Sequence, residues 1–458
     1  MVPFLKEIRD RKSNEERTVN ITKALSKVFA PILIACLVVA AARSQITSLD
    51  RGRADAILQS VASDVRKNYY DPKFHGIDWD AKVIETKARI AKATSWDTAM
   101  LEIAALTNEL NDSHTNFVPA RTPLWVDYGW DFQIVGDHCY VTHVRPKSDA
   151  EAKGLKPGDQ VLTLDGFGPN RASLPKINYA INVLSPQASL HVGLQDRSGR
   201  IHPVEVMARV KQPRVVNTLE NPYGVDGQFF RLGWEDEVHR MRARLIELGA
   251  EATVFKLPGF FLSESAVKEF AGKASKHGTL IIDLRDNPGG DVESLQYLLG
   301  SLFEHDVKIA DQVMRAKTTA LTAKSSHHNV FTGKLIVLVD SSSSSASELF
   351  ARTVQIEKRG MVLGDRTAGL VMEARYHPHE TGVPPVSFGA MVTEADLIMT
   401  DGKSLEHIGV TPDETILPTP ADLADGRDPV LVRAAELAGV KLIPEDAGKL
   451  LPYEWPAD

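Results

Sequence analysis

Cysteine is nearly absent from this chain: Cys36 and Cys139 are the only two in 458 residues. Two thiols cannot form a disulfide framework or the four-ligand cage of a structural zinc site, so neither staples nor a metal is indicated. Basic residues are outnumbered, with 53 Lys and Arg against 60 Asp and Glu, for a formal net charge of −7. That balance lacks the basic face on which general nucleic-acid binding depends, and nucleic acid is set aside as a partner. Long apolar runs are missing apart from Val28 to Ala42, which excludes a polytopic membrane protein. The 31 Gly and 25 Pro follow no short period, which removes collagen-like and low-complexity classes. What remains is an ordinary globular composition, 43% hydrophobic and 25% charged. At roughly 150 residues per domain, the length predicts about two or three domains with sizeable cores.

The N-terminus has the order of an export signal. Lys6, Arg9, Arg11, Lys12, Arg17, Lys23 and Lys27 precede the apolar run Val28 to Ala42, which is short for a membrane span and closes on Ala40-Ala41-Ala42. This pattern predicts a signal peptide over 1–42 with cleavage after Ala42. An uncleaved anchor and lipidation at Cys36, in the lipobox-like Leu33-Ile34-Ala35-Cys36, stay open. Removing 1–42 takes away seven basic and four acidic side chains and leaves a net charge of −10. The expected location is outside the cytoplasm, periplasmic or in the cell envelope of a bacterium, with membrane attachment only through that N-terminus.

Beyond the signal, Ile57, Val61, Val65 and then Leu101, Ile103, Leu106, Leu110 repeat at helical spacing, predicting a small helical domain over 43–122. From about Trp125 the texture changes to short β-branched runs such as Cys139-Tyr140-Val141-Thr142 and Val204-Glu205-Val206, broken by Gly, Pro and Asp turns. Within this module, Gly154-Leu155-Lys156-Pro157-Gly158-Asp159-Gln160-Val161-Leu162-Thr163-Leu164-Asp165-Gly166 gives turn, buried strand and turn in an order that resembles PDZ domains. Such domains add an extended peptide to a sheet edge and hold its terminal carboxylate on backbone N–H groups. Tyr128-Gly129-Trp130-Asp131-Phe132 stands where that loop belongs, making Gly129, Trp130 and Phe132 candidate peptide-binding residues. Asp131 would repel a carboxylate, so a PDZ-like spacer that captures no peptide stays open.

From Arg231 onward strands alternate with helices: Ala252 to Lys256, Leu280 to Leu284, Leu335 to Val339 and Met361 to Leu363. The run ending at Leu284 leads into Arg285-Asp286-Asn287-Pro288-Gly289-Gly290 and a helix. Adjacent glycines after a strand let the backbone approach a ligand and aim its N–H groups at an oxyanion, although a plain tight turn accounts for them as well. The run ending at Val339 leads into Asp340, five serines, Ala346, Ser347 and Glu348 at the mouth of a second helix. Ser345 and Glu348, three apart, suit a capping box. The same position exposes a hydroxyl beside helix N–H groups and suits a nucleophile.

The segments Asp283-Leu284-Arg285-Asp286-Asn287-Pro288-Gly289-Gly290, Ser343-Ser344-Ser345-Ala346-Ser347-Glu348, Gly364-Asp365-Arg366-Thr367-Ala368-Gly369 and Gly409-Val410-Thr411-Pro412-Asp413, in this order and spacing, resemble the carboxy-terminal processing (tail-specific) serine peptidases. The resemblance covers about 50–435. It implies a crotonase-like α/β core over 213–458 with a PDZ-like domain inserted at 123–212. It also implies Ser345 as nucleophile and Gly289 or Gly290 with Ala346 as oxyanion donors, and no cofactor.

One position departs from that pattern. Where those peptidases carry a general-base lysine after the glycine of this third motif, this chain has Leu370, which accepts no proton, and Arg375 is too basic to substitute. Asp112-Ser113-His114-Thr115 resembles instead the Ser-His of the tricorn-type branch, whose tetrad of Ser, His, nucleophilic Ser and Glu would be completed here by Ser113, His114, Ser345 and Glu406. His407 is a competing base at the same turn as Glu406. Asp283 lies inside a strand and reads as a satisfied structural carboxylate, so metal and glycosidase chemistry are set aside. The expectation is an exported serine endopeptidase acting on proteins or peptides, its oligomeric state open. The rival is a catalytically silent relative that binds peptides or apolar ligands.

Overall fold

A computed structural model describes residues 46–119, 125–211, 242–327, 330–382 and 386–455. The signal-peptide and lipobox expectations, with Cys36, lie outside these residues. The chain forms two compact units, Met1–Thr122 with Ala374–Glu394 and Pro123–Glu373 with Ala395–Asp458. The first takes in Ala374–Glu394, which sequence texture grouped with the α/β region.

In the first unit, α1 (Ser48–Asn68), α2 (Trp79–Ile90) and α3 (Trp96–Asn108) precede a short strand, β1 (Asn116–Val118). Thr47 caps α1 in a reciprocal box with Asp50, which satisfies end donors that would otherwise stay open. Ala54, Ile57, Leu58, Val61, Ala62 and Val65 form the buried stripe of α1, as their three-and-four spacing requires. β1 pairs antiparallel with Gly389–Met391 of a later strand. Thr393 donates its hydroxyl to Asp112 (2.8 Å) and bonds Thr115, tying that later segment to the turn after α3. His379 Nε2 lies 2.7 Å from Asp64 on α1.

The second unit opens with β2 (Trp125–Asp127) and a five-stranded antiparallel sheet in the order β3 (Trp130–Val135), β4 (His138–Val144), β5 (Gln160–Leu164), β6 (Ser189–Gln195), β7 (Ile201–Met207). β8 (Arg209–Lys211) pairs back onto β2. Its α/β part is built on β9 (Arg244–Leu248), β10 (Ala252–Lys256), β11 (Thr279–Asp283), β14 (Lys334–Val339), β15 (Gly360–Gly364) and β18 (Glu414–Thr415). These stand in the order β18-β15-β14-β11-β10-β9, parallel except for the β9–β10 pair. The near-continuous apolar runs follow from burial on both faces. Leu280, Ile282, Leu335, Val337 and Val339 enter one core, while Ile281, Ile336 and Leu338 enter the other. The helices Glu264–Ala274, Val292–Gly300 and Ala346–Ile356 cover the first core, and Pro429–Leu437 and Pro444–Leu450 the second. A separate ladder pairs β12 (Val307–Met314) with β13 (Thr318–Ala323) and with Ala395–Met399.

Candidate active site

Two loops leave the C-terminal ends of adjacent parallel strands, where open α/β sheets build their sites: 284–291 after β11 and 340–345 after β14. One buried residue, Asn287, bolts them together through its main-chain carbonyl. Asn287 accepts the Gly289 N–H on Oδ1 (2.8 Å) and donates from Nδ2 to the Leu257 carbonyl (2.6 Å). Its carbonyl accepts the Ser344 N–H (3.0 Å) and the Ser347 hydroxyl (3.0 Å). Ser343 adds a bond from its hydroxyl to the Leu284 carbonyl at 2.7 Å.

Ser345 stands at the N-terminus of Ala346–Ile356 with φ 55 and ψ −118. The capping relation is present, since Glu348 accepts the Ser345 N–H at 3.1 Å, but the backbone is not that of an ordinary cap. Thr47, Ser95 and Ser263 cap their helices from extended conformations, with φ of −77, −140 and −73. A serine held at positive φ is a strained residue that its surroundings must fix, the kind of strain that collects at functional sites. Gly289 shows how close the neighbouring turn comes. A Cβ added there would lie 2.7 Å from Ser345 Cβ and 3.0 Å from the Ala346 nitrogen, and φ +100 already requires glycine. Of the two glycines expected to serve the oxyanion, Gly289 has its N–H committed to the Asn287 side chain. Among the described residues, neither the Gly290 nor the Ala346 N–H has a protein acceptor.

Glu348 joins this serine to a third loop. It is fully buried and takes four donors: Ser345 N–H, Leu370 N–H (3.0 Å), Gly369 N–H (2.8 Å) and the Thr367 hydroxyl (2.5 Å). Burial pushes its carboxyl up to about 7, against the lowering effect of those four bonds. The Ser345 N–H also reaches the Leu370 carbonyl at 3.0 Å. Glu406 accepts the Val371 N–H at 2.8 Å, which brings the expected acidic residue to the segment following Gly369. His407, half-exposed, lies 3.6 Å from Glu406. Leu370 occupies the position of the absent lysine, and its main chain serves as a strut.

Ser113 and His114 belong to the first unit. Ser113 Oγ lies 2.6 Å from His114 Nδ1, and Asp112 accepts the His114 and Thr115 N–H groups at 2.9 and 2.6 Å. The enclosed setting pushes the imidazole pKa below its usual value of 6.5, opposed by the Asp112 charge. His114 is therefore neutral at pH 7 and able to accept a proton. In the tautomer protonated on Nδ1, that N–H donates to Ser113 and Nε2 is the accepting nitrogen.

At the expected peptide loop, one N–H already has an internal partner. The Gly129 N–H donates to Asp127 (2.8 Å), whose carboxylate is ion-paired with buried Arg145 at 2.6 Å. Trp130 is buried, its ring 4.8 Å from that of Phe132. Asp283 is a structural carboxylate, held ionised despite its burial by Arg285 and Lys256. Burial pushes the Cys139 thiol up to about 12, so it is no nucleophile. Asn287 and Thr367 lie in the quoted motifs without having been singled out, and Glu348 was read only as a cap. Their roles depend on partners as far as 22 residues from Glu348 and 60 from Asn287, which spacing does not reveal.

Residues 252–416 match the model of peptidase family S41. Curated relatives include carboxyl-terminal-processing peptidase 3 of Arabidopsis thaliana, 22% identical over 67% of this chain and 59% of that protein. A tricorn protease homolog of Streptomyces coelicolor is 25% identical over 82% of this chain and 31% of its own length. The tail-specific protease of Haemophilus influenzae is 24% identical over 61% of this chain and 40% of its own. The chain thus spans less than two thirds of the length of each of these relatives. Among solved structures, mature CPAF aligns with a TM-score of 0.60 and 15% identity over 82% of this chain and 95% of that one, a shared fold. The loops that hold Ser345 and the Gly289-Gly290 turn lie within the residues that match the peptidase family S41 model, in a chain similar to carboxyl-terminal-processing and tail-specific proteases.

Proposed function

We propose that this protein is an exported serine endopeptidase that cleaves proteins or peptides through an acyl-enzyme on Ser345. The observation that carries the reading is the strained backbone of Ser345 at a helix mouth, pressed against a glycine turn and fixed by Glu348. Ser345 Oγ attacks the substrate carbonyl carbon, and its proton passes to His114 Nε2. The carbonyl oxygen gains the negative charge and is held by the Gly290 and Ala346 N–H groups. When the C–N bond breaks, His114 returns the proton to the leaving amine. Water, deprotonated by the same imidazole, then releases the acyl group. Ser113 holds His114, and Glu406 supports the catalytic group electrostatically.

Histidine as base is supported by Leu370 in the place of the lysine and by the depressed His114 pKa. The breadth of the match to the tricorn homolog supports the tricorn-type branch. In this reading the α/β part is a crotonase-like core, and the sheet of β3 to β7 is a PDZ-like domain that delivers or gates substrate. The proposed domains are 43–122, 123–212 and 213–458, after a signal peptide at 1–42. The test is cleavage of an unstructured protein such as casein: Ser345→Ala and His114→Ala should each lower kcat by at least about 10³-fold with the fold intact. Activity retained in either variant contradicts the assignment.

A further inference from the structure

The segment that follows helix Pro444–Leu450 spans two parts of the second unit. At one end, Leu450 and Leu451 pack on the second core of the parallel sheet. Arg244 of β9 ion-pairs with Glu454 at 3.1 Å. At the other end, aromatic side chains lie on the β3–β4 hairpin. The Tyr453 ring stacks on His143, centroids 3.9 Å apart at 21°, and its hydroxyl bonds Asp131. Trp455 packs edge-on against Tyr453 at 4.7 Å and lies beneath the Arg145 guanidinium at 5.0 Å. Both aromatic residues are half-buried. Asp131 and His143 are direct cross-strand partners, so one face of the hairpin supplies the seat.

The same hairpin contacts the loop that carries Ser345. Gln133 donates to Asp340 (2.7 Å) and Ser342 (3.0 Å), Ser341 donates to the Ile134 carbonyl (2.5 Å), and the Gly136 N–H reaches Asp365 (2.8 Å). Between hairpin, serine loop and Tyr453 lies a cavity of about 600 Å³. Buried Trp130, Ile134, Cys139 and Val141 anchor the hairpin in its own sheet, while around the cavity it is joined to the α/β part by the aromatic segment on one side and by these bonds on the other, with Arg171 donating to the Gly136 carbonyl at 2.9 Å.

We infer that Pro452–Trp455 is a strap that docks on the Asp131–His143–Arg145 face of the β3–β4 hairpin and, through Gln133 and Ile134, positions the serine loop. Tyr453 and Trp455 are positioning residues that act through the hairpin. The kinetic consequence rests on the peptidase reading, whereas the docking itself does not.

Hydrogen exchange on the full chain separates the two. The double variant Tyr453→Ala/Trp455→Ala, and independently His143→Ala, should speed exchange at 130–144 and 340–345 by at least about tenfold while Ser189–Met207 stays unchanged. A free peptide of sequence Leu-Pro-Tyr-Glu-Trp, added at millimolar concentration to the double variant, should restore the protection. In the cleavage assay kcat should fall roughly tenfold with KM little altered, as expected when a nucleophile loses its positioning. Exchange unchanged at 130–144, a rise that extends to Ser189–Met207, or a rise that the peptide does not reverse would each overturn the strap. Normal exchange effects with no cleavage in any form of the protein would leave the strap standing and count against the peptidase.

Discussion

At the scale of single residues, the site depends on Glu348 as much as on Ser345. A carboxylate buried among four donors fixes the backbone of the serine at one end and of Gly369 and Leu370 at the other. Burial has the larger effect on its titration, holding its carboxyl near 7 where an ordinary glutamate titrates at 4.5. A pKa raised on folding means that the folded chain keeps a proton the unfolded chain has released. The stabilisation is then full below pH 4.5 and is lost as pH rises to about 7. Glu348→Gln removes that dependence but turns an amide NH2 toward N–H donors. At pH 5 the variant should be less stable than the parent by about 1–3 kcal/mol, and the gap should narrow toward pH 7.5. Thermal unfolding of both proteins across that range checks this, and a gap that widens with pH contradicts the assigned protonation.

At the scale of elements, the two strand-to-loop transitions act as one unit because Asn287 crosses between them. Asn287→Ala removes acceptor and donor together and leaves the buried Gly289 N–H and Leu257 carbonyl without partners, at a cost of about 2–4 kcal/mol. Activity should fall further than stability alone explains, since the Gly289-Gly290 turn then loses its fixed distance from Ala346. Chemical denaturation and kcat, measured on the same preparation, distinguish the two losses. The strands that carry these loops were legible in the sequence because burial on both faces leaves unbroken apolar runs, as in Leu280-Ile281-Ile282 and Leu335-Ile336-Val337. The motif glycines were legible for a similar reason, since few residues accept the backbone they adopt.

Other elements were hidden. The strand Met372–Thr381 carries charges, two histidines and a proline in place of a clean alternation, and Val386–Met399 sets two acidic residues among apolar ones, so neither gives a clear periodic signal. The bolt formed by Asn287 and the hub formed by Glu348 are tertiary facts. Their partners stand as far away as Ser347 and Thr367, and no local pattern announces them. The aromatic segment Tyr453–Trp455 belongs to no motif or periodic pattern in the sequence, and only its seat on β3–β4 gives it a role.

At the scale of the whole molecule, the proposed chemistry needs Ser345 and His114 together, so it is tested on the chain after residue 42. The most direct measurement is the rate at which a fluorophosphonate labels the protein, with the modified residue mapped by mass spectrometry and the rate followed against pH. The neutral imidazole is the active form, and its enclosure holds its pKa below 6.5. Labelling should therefore fall on Ser345, decline at acid pH with a midpoint below 6.5, and vanish in His114→Ala. A folded protein that takes no label, or one whose Ser345 is labelled at the same rate without His114, would contradict the account.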